Sequence, residues 1–196
     1  MAKEIIPRWE WRTFSENFAE LEGVFAALTP EGVQESDEIY ILSSASDENA
    51  KVRDELMDIK ALQQVNTDAL EQWKPVMKGR FPLPAADILK VFDALAVECP
   101  TLSRSAYSLL EFLEQLVKPV PELHVVQVHK KRSHYTVNGC MAEMTEVLAD
   151  GKRVCTVALE LEDPARVIAT VRKLGLDRFP NINYPRGLKQ LLGLKG

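Results

Sequence analysis

The chain carries only 3 cysteines, Cys99, Cys140 and Cys155, in its 196 residues. An odd count with no Cys-x-x-Cys spacing excludes a disulfide framework and a cysteine-ligated metal centre. Each thiol reads instead as a small buried apolar residue in a reducing compartment. No apolar run is long enough to span a bilayer, and "MAKEIIPRW" has no signal-type apolar core. The expected location is therefore the cytoplasm, with no membrane partner. A basic excess is also missing: the formal net charge of −5 argues against a general nucleic-acid coat, although local basic clusters can exist within it. There is no Gly-x-x-x-x-Gly-Lys loop and no nucleophile elbow, so a covalent nucleophile has no candidate.

What remains is a chain of ordinary globular composition, 46% hydrophobic and 27% charged, long enough to bury a real core. Its opening stretch, "RWEWRTF", alternates charge and aromatic ring. As a strand it puts Trp9 and Trp11 on one face, toward the core, and Arg8, Glu10 and Arg12 on the other. "SENFAELEGVFAAL" then sets Phe18, Leu21, Phe25 and Leu28 on a helical stripe, with Ser15 as expected N-cap. "DEIYILSS" reads as a strand, "SASDEN" as a turn, and "AKVRDELMDIKAL" as one long strand or two joined segments.

A helical middle follows. "PLPAADILKVFDALAVE" places Ile88, Val91, Phe92 and Leu95 at helical spacing. "SRSAYSLLEFLEQLVK" gives a second stripe of Ala106, Leu110, Leu113 and Val117. Residues of about 84 to 118 are expected to be a helical insertion between two groups of strands. Strand patterning returns in "LHVVQVHKKRSHYTV" and runs through "LELED". Asp163-Pro164 suits the N-cap and first turn of a helix buried on Val167, Ile168, Val171 and Leu174. A short final helix is expected in "YPRGLKQLLG". His124, His129 and His134 are assigned to no metal, and Tyr184 is as consistent with a turn anchor as with a site.

The faces are fixed by one hairpin. Asp150-Gly151 between two strand-like runs is a strong two-residue turn signal. It pairs Ala149 with Lys152, Val147 with Val154, Thr145 with Thr156, Glu143 with Ala158 and Met141 with Glu160. One face then holds Cys140, Ala142, Met144, Cys155, Val157, Leu159 and Leu161, and belongs against core. The other collects Glu143, Glu160 and Glu162. Carboxylates so close repel unless cations or a divalent ion face them. Cations recur on single faces of other strands: Arg8 and Arg12 flank Glu10, Lys51 pairs with Arg53 and Lys130 with Arg132 at i, i+2 spacing, and Lys60, Lys78 and Arg80 add to them. Such a wall suits a multiply charged phosphate chain.

The order of these motifs resembles the CYTH superfamily, the triphosphate tunnel enzymes. "RWEWR" stands at the opening motif, "DEIY" supplies Asp37 and Tyr40, and "KVR" supplies Lys51 and Arg53. "DIK" supplies Lys60, "KKR" supplies Lys130 and Arg132, "AEMTE" supplies Glu143 and "ELE" supplies Glu160 and Glu162. The resemblance implies an α+β fold, an antiparallel eight-stranded β-tunnel with flanking helices, as a single domain over residues 1–196. It implies a small-molecule triphosphate or polyphosphate ligand, contacted by Arg8, Arg12, Lys51, Arg53, Lys60, Lys130 and Arg132. It implies Mg2+ or Mn2+ on Glu10, Glu160 and Glu162, which with Glu143 would form the catalytic set of a phosphoanhydride hydrolase. The opening motif departs from the family's E-x-E-x-K, having Arg8 for its first glutamate and Arg12 for its lysine. A binding module without turnover is thus the alternative to an enzyme, and a class IV adenylate cyclase is a third reading.

Overall fold

Alternation in "RWEWRTF" does produce a strand, β1 (Arg8–Ser15), with Trp9 and Trp11 buried on its outer side. In the computed structural model residues 6–194 are described; residues 1–5 and 195–196 and the Phe18 side chain lie outside the described set. Helix α1 (Phe18–Phe25) follows, capped by Asn17, whose side chain accepts from the Glu20 amide; Ser15, the expected cap, ends β1 instead. Strands β2 (Gly32–Ser43), β3 (Ser46–Arg53), β4 (Leu56–Val65) and β5 (Glu71–Arg80) form a meander.

"SASDEN" is mostly strand rather than turn, because β2 and β3 pair down to Ser43 and Ser46. The ambiguous "AKVRDELMDIKAL" is two strands. Asp54 and Glu55 between them both adopt left-handed φ, 52° and 58°, which fits a primed hairpin turn.

Between β5 and the next long strand lie β6 (Leu83–Pro84), α2 (Ala85–Ala94), β7 (Ala106–Tyr107) and α3 (Leu109–Glu111), which continues as a π-helical turn over Phe112–Val117. Helix α2 buries Ile88, Val91 and Phe92 as its spacing predicts. The stripe expected in the next segment is displaced: Leu110 is exposed, while Tyr107, Phe112, Leu116 and Val117 are buried. Ser108 caps α3 only after the β7 residues, and i→i+5 bonding (Lys118 N to Leu113 O, 2.9 Å) shifts the helical period.

The chain then runs through β8 (Leu123–Val137), β9 (Cys140–Ala149) and β10 (Lys152–Leu161), followed by α4 (Pro164–Lys173) and α5 (Tyr184–Leu192). The β9–β10 register matches the hairpin arithmetic pair by pair, from Ala149–Lys152 to Met141–Glu160, with Asp150 and Gly151 at positive φ. Asp163 caps α4 as expected.

Eight strands close into an antiparallel barrel in the order β1-β10-β9-β8-β2-β3-β4-β5, with β1 pairing β5. Closure leaves the barrel itself without a free edge, and β6 and β7 pair as a separate two-stranded sheet. Outside it, α1 and α4 cover the apolar face of β1, β9 and β10: Leu21, Phe25, Val167 and Val171 meet Trp11, Ala142, Cys155, Val157 and Leu159. Helix α2 and the π-turn cover β3, β4 and β5 through Val52, Met57, Ile59, Phe92 and Phe112. Among the described residues no helix is long and apolar enough to cross a membrane.

Candidate functional site

Because side chains alternate along each strand, packing one face outward sends the other into the barrel. That inner face changes character along the barrel axis. At one end Tyr40, Leu42, Val126, Val128, Val147 and Val154 form an apolar cluster, joined by Tyr184 and Leu188 of α5. Helix α5 covers this end and is pinned there. Lys189 Nζ reaches Asp47 Oδ1 at 2.7 Å, and Asn183 Nδ2 donates to Glu71 Oε1 at 3.2 Å. At the other end the interior is charged. A cavity of about 270 Å³ is lined by Arg12, Lys51, Arg53, Lys60, Lys130 and Arg132, against the carboxylates of Glu10, Glu143 and Glu160. Six basic side chains against three lining carboxylates and the buried Glu38 beneath them, in a chain of net charge −5, leave a local positive surplus.

Its floor is organised by Glu38, whose side chain is 0% exposed. Lys130 Nζ donates to Glu38 Oε2 at 2.9 Å and Lys51 Nζ to the same oxygen at 3.1 Å. Arg132 pairs with Oε1, and Arg53 approaches it at 3.7 Å. Burial alone would raise this carboxyl, but Lys130, Lys51 and Arg132 outweigh it and hold it well below the usual carboxylate range. Lys130 also donates to the Tyr40 hydroxyl at 2.5 Å and lies 3.7 Å from the Tyr184 ring centroid. Burial, then Lys51, pulls its ammonium well below the ordinary lysine range against the pull of Glu38. Tyr40 and Tyr184 stack with centroids 5.3 Å apart, forming a cation–π shelf under it.

The opening strand forms the opposite wall. Arg12 Nε bonds Glu10 Oε1 at 2.7 Å and Arg12 Nη2 bonds Glu143 Oε1 at 2.9 Å. Burial raises the Glu143 carboxyl, but Arg12 and Arg132 bring it down to about 2. Arg8, more exposed, meets Glu160 Oε1 at 3.3 Å. Glu10 faces Glu160 in register.

The structure thus brings together ten of the eleven residues singled out from sequence: Arg8, Glu10, Arg12, Lys51, Arg53, Lys60, Lys130, Arg132, Glu143 and Glu160. Glu162 does not join them; it is exposed in the bend after β10 ends at Leu161. Asp37 points outward, 89% exposed, toward His129 Nδ1 at 2.9 Å. Its place inside is taken by Glu38, which sequence reasoning missed although Glu38 and Tyr40 share strand parity and Asp37 and Tyr40 do not. Tyr184, left open between a turn anchor and a site residue, is part of the wall, and Glu71, buried beside Trp73 Nε1 at 3.2 Å, was missed. Glu71 sits across from Glu10, and burial raises its carboxyl.

These residues do not fit a divalent ion as they stand. Among the described residues no group of three or more His, Cys, Asp or Glu converges as a metal cluster. Glu10, Glu143 and Glu160 are each taken up by an arginine, and Glu162 lies apart. Lys60 is the converse case: it lines the cavity, and among the described residues no carboxylate lies within ion-pair distance of it. The hydroxyl of Tyr184, also in the lining, is buried without a hydrogen-bond partner.

No protein-family model matches the chain, and no curated protein matches it. Solved structures do. A Hippeastrum protein assigned as an adenylyl cyclase and described as having a dominant triphosphatase activity is 12% identical, with 95% of this chain and 96% of that chain covered, at a TM-score of 0.53. A Bacillus halodurans protein assigned as an adenylate cyclase is 12% identical over 94% of this chain and 95% of its own, at 0.46. A Pyrococcus horikoshii protein, PH1012, is 15% identical over 86% and 90%, at 0.44. At 12% identity the likeness to the Hippeastrum protein speaks for architecture alone: this chain shares its fold, and the closed antiparallel eight-stranded barrel flanked by helices is the one that the CYTH resemblance implies.

Proposed function

We propose that the tunnel captures a small linear polyanion, a triphosphate or short polyphosphate, and holds it without hydrolysis. The observation that carries this reading is the surplus of cations around one cavity, with Lys60 lacking any internal counter-ion among the described residues. Phosphate oxygens suit these groups: the guanidinium groups of Arg53 and Arg132 offer paired donors, and Lys51 and Lys60 act as point charges. The unpartnered Tyr184 hydroxyl is a further neutral donor.

The lining offers little for a nucleobase. Tyr40 and Tyr184 are buried and covered by Lys130 and Arg12, which leaves the half-buried imidazole of His134 as its one accessible ring among the described residues. The apolar cluster under α5 closes the tunnel behind the tyrosines. The phosphate chain is therefore the part of any ligand that this site is suited to recognise. Turnover is disfavoured because the three carboxylates that line the cavity are already paired, Glu10 and Glu143 with Arg12 and Glu160 with Arg8.

Calorimetric titration with tripolyphosphate, beside a phosphate-release assay on the same samples, tests both halves. Saturable binding without released phosphate is expected. No heat at millimolar ligand removes the binding reading, and steady phosphate release makes the protein an enzyme.

A further inference from the structure

The residue placed most unusually in the tunnel is Arg12. It is 7% exposed, and each of its three guanidinium nitrogens has a partner: Nε on Glu10 at 2.7 Å, Nη2 on Glu143 at 2.9 Å and Nη1 on Thr156 Oγ1 at 3.3 Å. The strand register explains how one side chain reaches two carboxylates on strands that do not touch. Arg12 of β1, Ala158 of β10 and Glu143 of β9 lie in one row across the sheet. The middle residue is alanine, so the guanidinium crosses over its methyl group and meets Glu143 from the far side. Glu10, two residues earlier on the same face, completes the bracket. The Tyr184 ring lies 4.8 Å from the guanidinium carbon.

Two inward carboxylates bridged by one cation is the arrangement by which a cavity wall holds a divalent ion. Here the cation is covalently part of the wall, carries a fixed charge, and occupies Oε1 of both Glu10 and Glu143. We propose that Arg12 is a built-in replacement for a divalent ion, so that the tunnel is metal-independent and its ligand is the free polyanion rather than its magnesium complex. The ligand half of this rests on the polyphosphate reading above; the metal half does not.

The chemistry gives the sign of the metal effect. Magnesium bound to a triphosphate neutralises two charges and occupies oxygens that the lysines and arginines would otherwise contact. Added magnesium should then compete with the tunnel for the ligand.

Two measurements separate the halves. In the first, Mn2+ alone is titrated into wild type, Arg12→Ala and Arg12→Gln, with bound and free ion counted by electron paramagnetic resonance. Wild type should bind no stoichiometric Mn2+, and the variants should gain one site at least about tenfold tighter than any residual binding in wild type. Stoichiometric Mn2+ in wild type, or no gain in folded variants, overturns the proposal. If neither variant folds, the wild-type titration decides by itself. In the second, tripolyphosphate is titrated with EDTA and then with excess Mg2+. Binding with EDTA that weakens with Mg2+ is expected, and binding that appears only with Mg2+ overturns the proposal. If tripolyphosphate fails under both conditions, the polyphosphate reading falls, while the Mn2+ result still decides the role of Arg12.

Discussion

Lys130 and Glu38 meet at 2.9 Å on adjacent strands, with side chains 2% and 0% exposed. A pair so deeply desolvated is not kept for net stability, because taking both charges out of water costs about as much as their attraction returns. What it does is geometric. Three further cations, Lys51, Arg53 and Arg132, turn toward the same carboxylate. Mutual repulsion would otherwise splay them. Glu38 therefore holds a cation array in place before any ligand arrives, which lowers the ordering cost of binding.

Removing that charge should have opposite effects on the empty and the occupied protein. Glu38→Gln keeps the shape and leaves Lys51, Arg53 and Arg132 uncompensated, with Lys130 drawn further from its charged form. The empty protein should lose on the order of 3 kcal/mol, as when one partner of a buried pair is deleted. Tripolyphosphate should restore more stability to the variant than it adds to wild type, since it supplies the missing negative charge. Urea unfolding with and without ligand measures both. An empty variant as stable as wild type would show that Glu38 does not hold the array.

The cations themselves should govern binding. Arg53→Ala combined with Arg132→Ala removes two paired-donor groups from one wall while leaving Glu38 its two lysines. Tripolyphosphate at about 100 times its Kd should stabilise wild type by about 2.7 kcal/mol, and this shift should vanish in the double variant. It should also shrink as salt rises, because the attraction is between charges. A thermal shift unchanged by salt would point to a different kind of ligand contact.

Helix α5 offers a packing test in which two rules disagree. In a helix interior, glycine to alanine ordinarily gains about 1 kcal/mol. At Gly187, however, an added Cβ would come 2.3 Å from Phe14 Cε2 of β1. Phe14 in turn meets Tyr184 edge-on at 5.3 Å. Gly187→Ala should therefore destabilise by about 1–3 kcal/mol, as overpacking does, and should reduce the ligand-induced shift by displacing Tyr184 from the tunnel wall. A stabilised variant would mean that α5 sits less tightly on the barrel.

Much of this site was legible before the fold was known, for a definable reason. The Asp150-Gly151 turn sets a register, and a period of two then assigns every residue of β9 and β10 to a face. The same parity sorts Arg8, Glu10 and Arg12 from Trp9 and Trp11. Parity was also sufficient to select Glu38 over Asp37, but the motif pattern drew attention to the aspartate. Glu162 shows the limit of the method: alternation continues in the sequence after the strand has ended, because nothing local marks Leu161 as its last residue. Arg12 bridging two carboxylates was hidden for another reason. It depends on which residue lies between them on a third strand, and Ala158 becomes meaningful only once the row is assembled. Tyr184 enters the wall through the docking of α5, a long-range contact with no local signature.

The acid side of the stability profile should report the Arg12 bridge directly. The Glu143 carboxyl is brought down from an ordinary 4.5 to about 2 by Arg12 and Arg132, in spite of burial. Between those values the unfolded chain binds more protons at this residue than the folded one does. Stability from this group is therefore fully present above about pH 4.5 and is lost as pH falls toward 2. Glu38 acts in the same direction: its share also begins to be lost below about pH 4.5, and because its carboxyl is held lower still the loss continues to more acid pH. Glu143→Gln should flatten the first part of this limb, lowering stability at neutral pH by about 3 kcal/mol while narrowing the gap to wild type as pH approaches 2. The amide keeps an acceptor oxygen for Arg12 and removes only the titrating charge, so the change in slope isolates the ion pair from the hydrogen bond. Urea midpoints measured from pH 7 down to pH 2 on both proteins provide the test. Parallel profiles would mean that solvent at the tunnel mouth screens Glu143, and that the Arg12 bridge contributes geometry without charge-dependent stability.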